Sequence, residues 1–203
     1  MFDVLIIGGG AAGMQCALVL GSALEKPYAE NKKTGIIIHQ RASHLQSALF
    51  NNALGIPPGT TGAAILNKGK EQLATLYPAV EQIEKEKVLA VQQQPNGFSV
   101  VTNKNTYRSA IVVLAVGYAQ PFTIKGLENY LEPHPMAPVE KNRVWVKNEG
   151  YKVGDGLYVA GTLAGGRSQF SIAAGSGAQV ATDILTLWNE GKHTKVHDKA
   201  EGV

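Results

Sequence analysis

Gly8-Gly9-Gly10-Ala11-Ala12-Gly13 is the segment whose residue types and spacing point most directly to chemistry. It fits G-x-G-x-x-G with Gly8, Gly10 and Gly13 in the three positions. It lies between an apolar run, Phe2 to Ile7, and a stretch, Ala11 to Leu24, that reads as a helix. In that setting each glycine has its own task. Gly8 permits a tight turn, Gly10 lets the backbone approach a pyrophosphate, and Gly13 lets helix and sheet pack closely. The first helical turn, which holds Ala11 and Ala12, then turns its N–H groups toward the anion. The competing reading is a glycine-rich turn that holds no ligand.

A dinucleotide's adenosine ribose usually meets an acid at the end of the second strand. Here that strand ends Ile36-Ile37-Ile38-His39-Gln40-Arg41, with no Asp or Glu. His39 occupies the expected place, and His39, Gln40 and Arg41 are candidate cofactor contacts. A neutral imidazole can accept from a ribose hydroxyl, at about 0.5–1.5 kcal/mol against about 1.5–3 for a charged acceptor. A surface histidine at a strand end is the alternative.

The remaining reactive side chains offer little. Cys16 is the single cysteine, which excludes an intramolecular disulfide, a CxxC redox pair and a cysteine-rich zinc site. It sits within the first helix, where a small apolar side chain packs well. His134 stands between prolines, and His193 and His197 are four apart in a polar tail with no third ligand, so no metal site is expected. Any redox chemistry must reside in a bound cofactor.

These residues need a scaffold, and the composition describes an ordinary globular one: 203 residues, 44% hydrophobic and 17% charged. A net charge of +3 without a basic block leaves no footprint for nucleic acid or an anionic membrane. Val4 to Leu24 carries no charge and is long enough to mimic a membrane span. Asp3 stands where a signal peptide wants a base, however, and the three glycines split the run, so a cytoplasmic protein is expected.

Along the chain, Phe2 to Ile7 and Ile36 to Ile38 read as strands buried on both faces, joined through the first helix as a βαβ unit. A loop rich in Asn, Gly and Pro follows Arg41, then a helix from about Ala63 to Tyr77. Val88 to Gln93, Phe98 to Thr102 and Thr106 to Ser109 read as an antiparallel meander, leading into an apolar strand, Ile111 to Val116. Further strands are expected at Arg143 to Lys147 and Leu157 to Ala160, and a last helix from about Ser171 to Asn189. The fold class is α/β: a Rossmann-like FAD/NAD(P)-binding domain, with a parallel sheet and a small antiparallel β-meander. Residues 1–190 are expected to form a single dinucleotide-binding domain and 191–203 a mobile polar tail.

Two further segments carry a resemblance. Ile111-Val112-Val113-Leu114-Ala115-Val116-Gly117 and Gly156-Leu157-Tyr158-Val159-Ala160-Gly161-Thr162 resemble the second and third fingerprints of the FAD-binding domain of thioredoxin-reductase-like flavoproteins, the FAD-dependent pyridine nucleotide-disulfide oxidoreductases. The loop from Asn51 to Gly62 resembles the same family's flavin-side segment and makes Asn52 a candidate contact. The resemblance implies FAD as cofactor. It implies that Gly117 turns the chain beside it and that Thr162 touches the ribitol and phosphate, with Gly161 beside it a candidate contact. It also implies that the last helix aims its N-terminus at the flavin pyrimidine, with the segment Ser171 to Gly177 nearest the isoalloxazine and Ser171 and Ile172 as candidate contacts. For Gly175 and Gly177, tight helix packing is the alternative.

The sequence departs from the family in three ways. Thr162 stands where the third fingerprint normally ends in Asp, the CxxC is absent, and the segment 118–155 is too short for the family's second, NAD(P)H-binding domain. The expected function is an FAD-dependent oxidoreductase passing electrons between FAD and an external donor or small substrate, with catalytic residues unassigned. A non-catalytic FAD- or NAD-binding module with a degenerate site is the alternative. Expected partners are FAD and a separate reductase or electron-donor protein, with a homodimer left open, and neither nucleic acid nor membrane.

Overall fold

The computed structural model describes residues 1–39, 43–118 and 121–197. Strand β1 (Phe2–Ile7) starts the chain at the middle of the sheet, where its apolar run is buried between parallel neighbours on both sides. On one side lies β2 (Thr34–Ile38), in register Val4 to Thr34, and beyond it β5 (Glu81–Glu84). On the other lies β8 (Thr106–Leu114), in register Val4 to Ile111, and beyond it β12 (Leu157–Val159). The chain builds outward from β1 first one way and then the other, which makes the gap between β1 and β8 a switch point. Open α/β sheets leave a crevice for ligands at such a point, at the carboxyl ends of the strands.

The sheet's two faces are covered differently. Val4, Ile6, Ile36 and Val113 point to a layer of helices, α1 (Ala11–Ser22) and α3 (Phe170–Trp188), against Ala17, Leu20, Val180 and Ile184. Leu5, Ile7, Ile37, Val112 and Leu114 point the other way, against Val91 of β6 (Val88–Gln94), Phe98 and Val100 of β7 (Gly97–Thr102), and Ile124, Leu127, Val144 and Leu163. Period-2 alternation within each strand thus feeds two cores, which is why the strands read as continuous apolar runs.

The meander is present, with one correction. Thr106 to Ser109 and the apolar run after it form one strand, β8, rather than two. Its first half pairs antiparallel with β7 and its second half parallel with β12, so the edge changes partner without a break. The loop after Ser43 is closed by β3 (Leu49–Phe50) against β4 (Thr60–Thr61), and α2 (Gly62–Leu76) follows, capped by the Thr61 hydroxyl. The connector between β8 and β12 holds β9 (Leu131–Pro133) paired with β10 (Val144–Val146), and then β11 (Lys152–Gly154), antiparallel to β12.

In the tail expected to be mobile, Thr194 is buried, its N–H donating to the Thr186 hydroxyl at 3.2 Å. Residues 198–203 lie outside the described part.

Candidate functional site

Four strand ends converge on one cleft of about 620 Å³. β1 delivers Gly8 to Ala12, β2 delivers His39, β8 delivers Ala115 to Gly117, and β12 delivers Gly161 and Thr162. The ends are tied together by the backbone: Gly8 N–H donates to Ile37 (3.0 Å), Ala115 N–H to Ile7 (2.8 Å) and Ala160 N–H to Leu114 (2.8 Å).

The glycines divide their work as the spacing requires. Gly8 has φ +116°, and a Cβ there would stand 2.5 Å from the Ala115 carbonyl oxygen, so both conformation and space demand glycine. Gly13 packs so that a Cβ would collide with the Gly8 carbonyl, which brings α1 down onto the turn and keeps Gly13 itself off the cleft wall. A Cβ at Gly10 would meet nothing within 4 Å. Gly10 is also the N-cap of α1, whose first turn has no side-chain cap and no acidic residue. An uncapped helix N-terminus beside open space is suited to an anion, since its N–H groups and partial positive charge converge there.

His39 is exposed on the cleft wall, with no acid beside it in the strand. Gln40 and Arg41 lie outside the described residues. Sequence reasoning missed Glu86, the acid that does line the cleft. Both its oxygens are already engaged: Oε2 accepts from the Thr102 hydroxyl (2.6 Å), and Oε1 from Asn105 Nδ2 (2.7 Å) and the Tyr107 hydroxyl (3.0 Å). Burial pushes its carboxyl up, but these hydrogen bonds outweigh it and hold the group below the usual carboxylate range. In the sequence it sits in the charged run Glu84-Lys85-Glu86-Lys87, which looks like a solvated surface, and its partners are non-local.

Gly117 lines the cleft with open space at its Cβ position; it leaves room and has no left-handed turn to make. Gly161 has φ +76°, and its N–H is taken by the Ser176 hydroxyl at 2.7 Å. The Thr162 carbonyl accepts from His134 Nε2 at 3.0 Å, while His134 Nδ1 accepts the Met136 N–H, which fixes the proton on Nε2. Gly177 packs on the backbone of α1: a Cβ there would collide with the Ala12 carbonyl. Ser171 and Ile172 are exposed and do not line the cleft; Gln169, Phe170 and Ala173 do. Helical rotation explains the difference, because Phe170 and Ala173 are three apart on one face while the two residues between them turn away. Asn52 lines the cleft from its loop, whose neighbour Phe50 meets Phe170 edge-to-face at 5.1 Å and closes that side.

Cys16 is buried in α1 with its thiol pushed far up by burial, so it takes no part in the site. Among the described residues there is no cluster of three His, Cys, Asp or Glu that could hold a metal, and no helix long and apolar enough to cross a membrane.

Residues 2–174 match the family described as pyridine nucleotide-disulphide oxidoreductase. The chain belongs to that family. Curated relatives include a ferredoxin–NADP reductase of Streptococcus agalactiae, 29% identical over 137 residues, 64% of this chain and 39% of that protein. Another, of Streptococcus pneumoniae, is 26% identical over 145 residues, 66% of this chain and 42% of that protein. The chain thus spans about two fifths of the length of the curated relatives it matches. Among solved structures, a thioredoxin reductase from Gloeobacter violaceus is similar with a TM-score of 0.76 at 16% identity, covering 98% of this chain and 99% of that one. A ferredoxin-flavin thioredoxin reductase from Clostridium acetobutylicum reaches 0.68 at 18% identity, covering 93% and 98%. At such identities the structural likeness establishes the shared fold.

Proposed function

We propose that the cleft binds FAD and that the chain works as an FAD-dependent oxidoreductase, exchanging electrons with a separate donor protein or a small substrate. The observation that carries this reading is Gly10. It caps α1 without a side chain, stands beside open space at the switch point, and leaves the first helical turn for a pyrophosphate. A cleft of about 620 Å³ lies within the range of ligand sites. Bound there, FAD would supply the electron-accepting and electron-donating chemistry that no side chain of this site offers.

The chain's own residues bind and orient. Gly8 and Gly13 set the turn, and Gly10, Ala11 and Ala12 would hold the pyrophosphate. His39 would offer a ring nitrogen to a ribose hydroxyl. Asn52, Gly117, Gly161 and Thr162 line the way to α3. The N-terminus of α3, also without a side-chain cap or an acid, would supply partial positive charge to a cofactor that gains negative charge on taking electrons. Phe50 and Phe170 exclude water from that side.

The experiment is direct. The purified protein should be yellow or take up FAD in preference to FMN, and a chemical reductant should bleach it. No FAD binding by calorimetry at millimolar ligand would overturn the reading. Binding without reducibility would leave a nucleotide-binding module, the reading favoured by the missing acids at His39 and Thr162.

A further inference from the structure

Beside the large cleft lies a smaller one of about 170 Å³, and the two share Ser168. Its walls come from the β8–β12 connector, with Tyr118, His134, Lys141 and Arg143, and from the turn before α3, with Arg167. Three cationic side chains line it and no Asp or Glu does. None of the three forms an ion pair with a described residue.

Arg143 is the anchored member. It is partly buried, and its guanidinium carbon lies 4.5 Å from the centroid of the Tyr118 ring. This cation–π contact restrains the guanidinium and uses none of its N–H donors, which are left for an acceptor. Tyr118 is held in turn by His134, edge-to-face at 5.1 Å, and His134 is buried with both ring nitrogens engaged. Arg143 is therefore held in place where it presents its charge, and the exposed Lys141 and Arg167 add two further positive charges.

We propose that this small cleft is an oxyanion subsite, taking the phosphate or carboxylate group of a small substrate. Its size argues for one such group and not a whole cofactor, since complete ligands occupy clefts of about 300–1,000 Å³. A planar guanidinium matches both oxyanions in a two-pronged hydrogen bond. Through Ser168 the rest of the substrate reaches the larger cleft; that clause rests on the flavin reading, whereas the anion site does not.

The test is a two-dimensional NMR titration of the ¹⁵N-labelled full chain with inorganic phosphate and, separately, acetate, against sodium chloride at matched ionic strength. The signals followed are the Gly166, Arg167 and Ser168 amides and the Arg143 Nε–H. Saturable shifts with phosphate or acetate, absent with chloride, are expected. The oxyanion that saturates at the lower concentration distinguishes a phosphorylated from a carboxylic substrate. Arg143→Ala should weaken binding about tenfold or more, and Arg143→Lys less, because charge survives and the fork does not. Arg167→Ala, at an exposed residue, covers the case in which the Arg143 variant fails to fold, and should also weaken binding. Shifts that stay linear and chloride-like, or an unchanged Kd in the folded variants, would overturn the proposal. Saturable phosphate shifts in a chain that binds no FAD would instead overturn the flavin reading alone.

Discussion

Ser176 receives the Gly161 N–H on its hydroxyl oxygen at 2.7 Å and gives its own proton to the Ala173 carbonyl at 2.6 Å. One buried hydroxyl thus clamps α3 to the turn after β12. Ser176→Ala leaves the Gly161 N–H without this partner, and a loss of about 1–3 kcal/mol in unfolding free energy is expected. Urea unfolding should move its midpoint with an unchanged slope. An unmoved midpoint would mean that water takes over the hydroxyl's role.

Gly10 and Gly13 lie in the same motif and should fail in different ways. A Cβ at Gly13 collides with the backbone of Gly8, so Gly13→Ala should destabilise the chain whether or not ligand is present. Gly10 opens onto free space, so Gly10→Val should fold and lose FAD binding. Circular dichroism melts together with FAD calorimetry separate the two. Equal FAD occupancy in the Gly10 variant would move the site elsewhere.

Most of this architecture was legible because local physics and tertiary structure agree in it. The runs Phe2 to Ile7 and Ile36 to Ile38, the glycines between helix and strand, and the β6–β7 turn at Pro95-Asn96-Gly97 all announce themselves over a few residues. β5 did not, because in Glu81-Gln82-Ile83-Glu84 only Ile83 is buried; it is a strand by virtue of pairing with β2. Glu86 was hidden for the same reason, its partners Thr102, Asn105 and Tyr107 being supplied by the neighbouring hairpin. Ser171 and Ile172 turn away from the cleft that Phe170 and Ala173 line, because a resemblance carries a segment across and not its helical rotation.

Glu86 also sets a pH dependence. Its folded-state pKa lies below the ordinary glutamate value of about 4.3, so the unfolded chain binds more protons in acid. Its contribution is complete above the unfolded value and is lost as pH falls through the lower folded one. Stability measured by urea from pH 6 downward should therefore fall more steeply for the parent chain than for Glu86→Gln, which has no proton to take up. Parallel curves would mean that the hydrogen bonds from Thr102, Asn105 and Tyr107 do not favour the ionised form.

With FAD bound in the cleft as proposed, NADH and NADPH should reduce it slowly or not at all unless another protein is supplied. Hydride transfer needs the nicotinamide held against the acceptor at about 3–3.5 Å, and that positioning takes a binding site of its own. The connector between β8 and β12 holds the short β9–β10 hairpin, and among its described residues there are only single helical turns and no parallel strand pair. A βαβ dinucleotide fold is therefore not built there. Stopped-flow mixing under anaerobic conditions checks the point. Slow reduction that rises linearly with NADPH fits a nicotinamide colliding with an open flavin face, because no site saturates. Fast bleaching that saturates at micromolar NADPH would overturn the prediction. It would require a nicotinamide site elsewhere, formed by the loop from Asn51 to Gly62 or by a second copy of the chain.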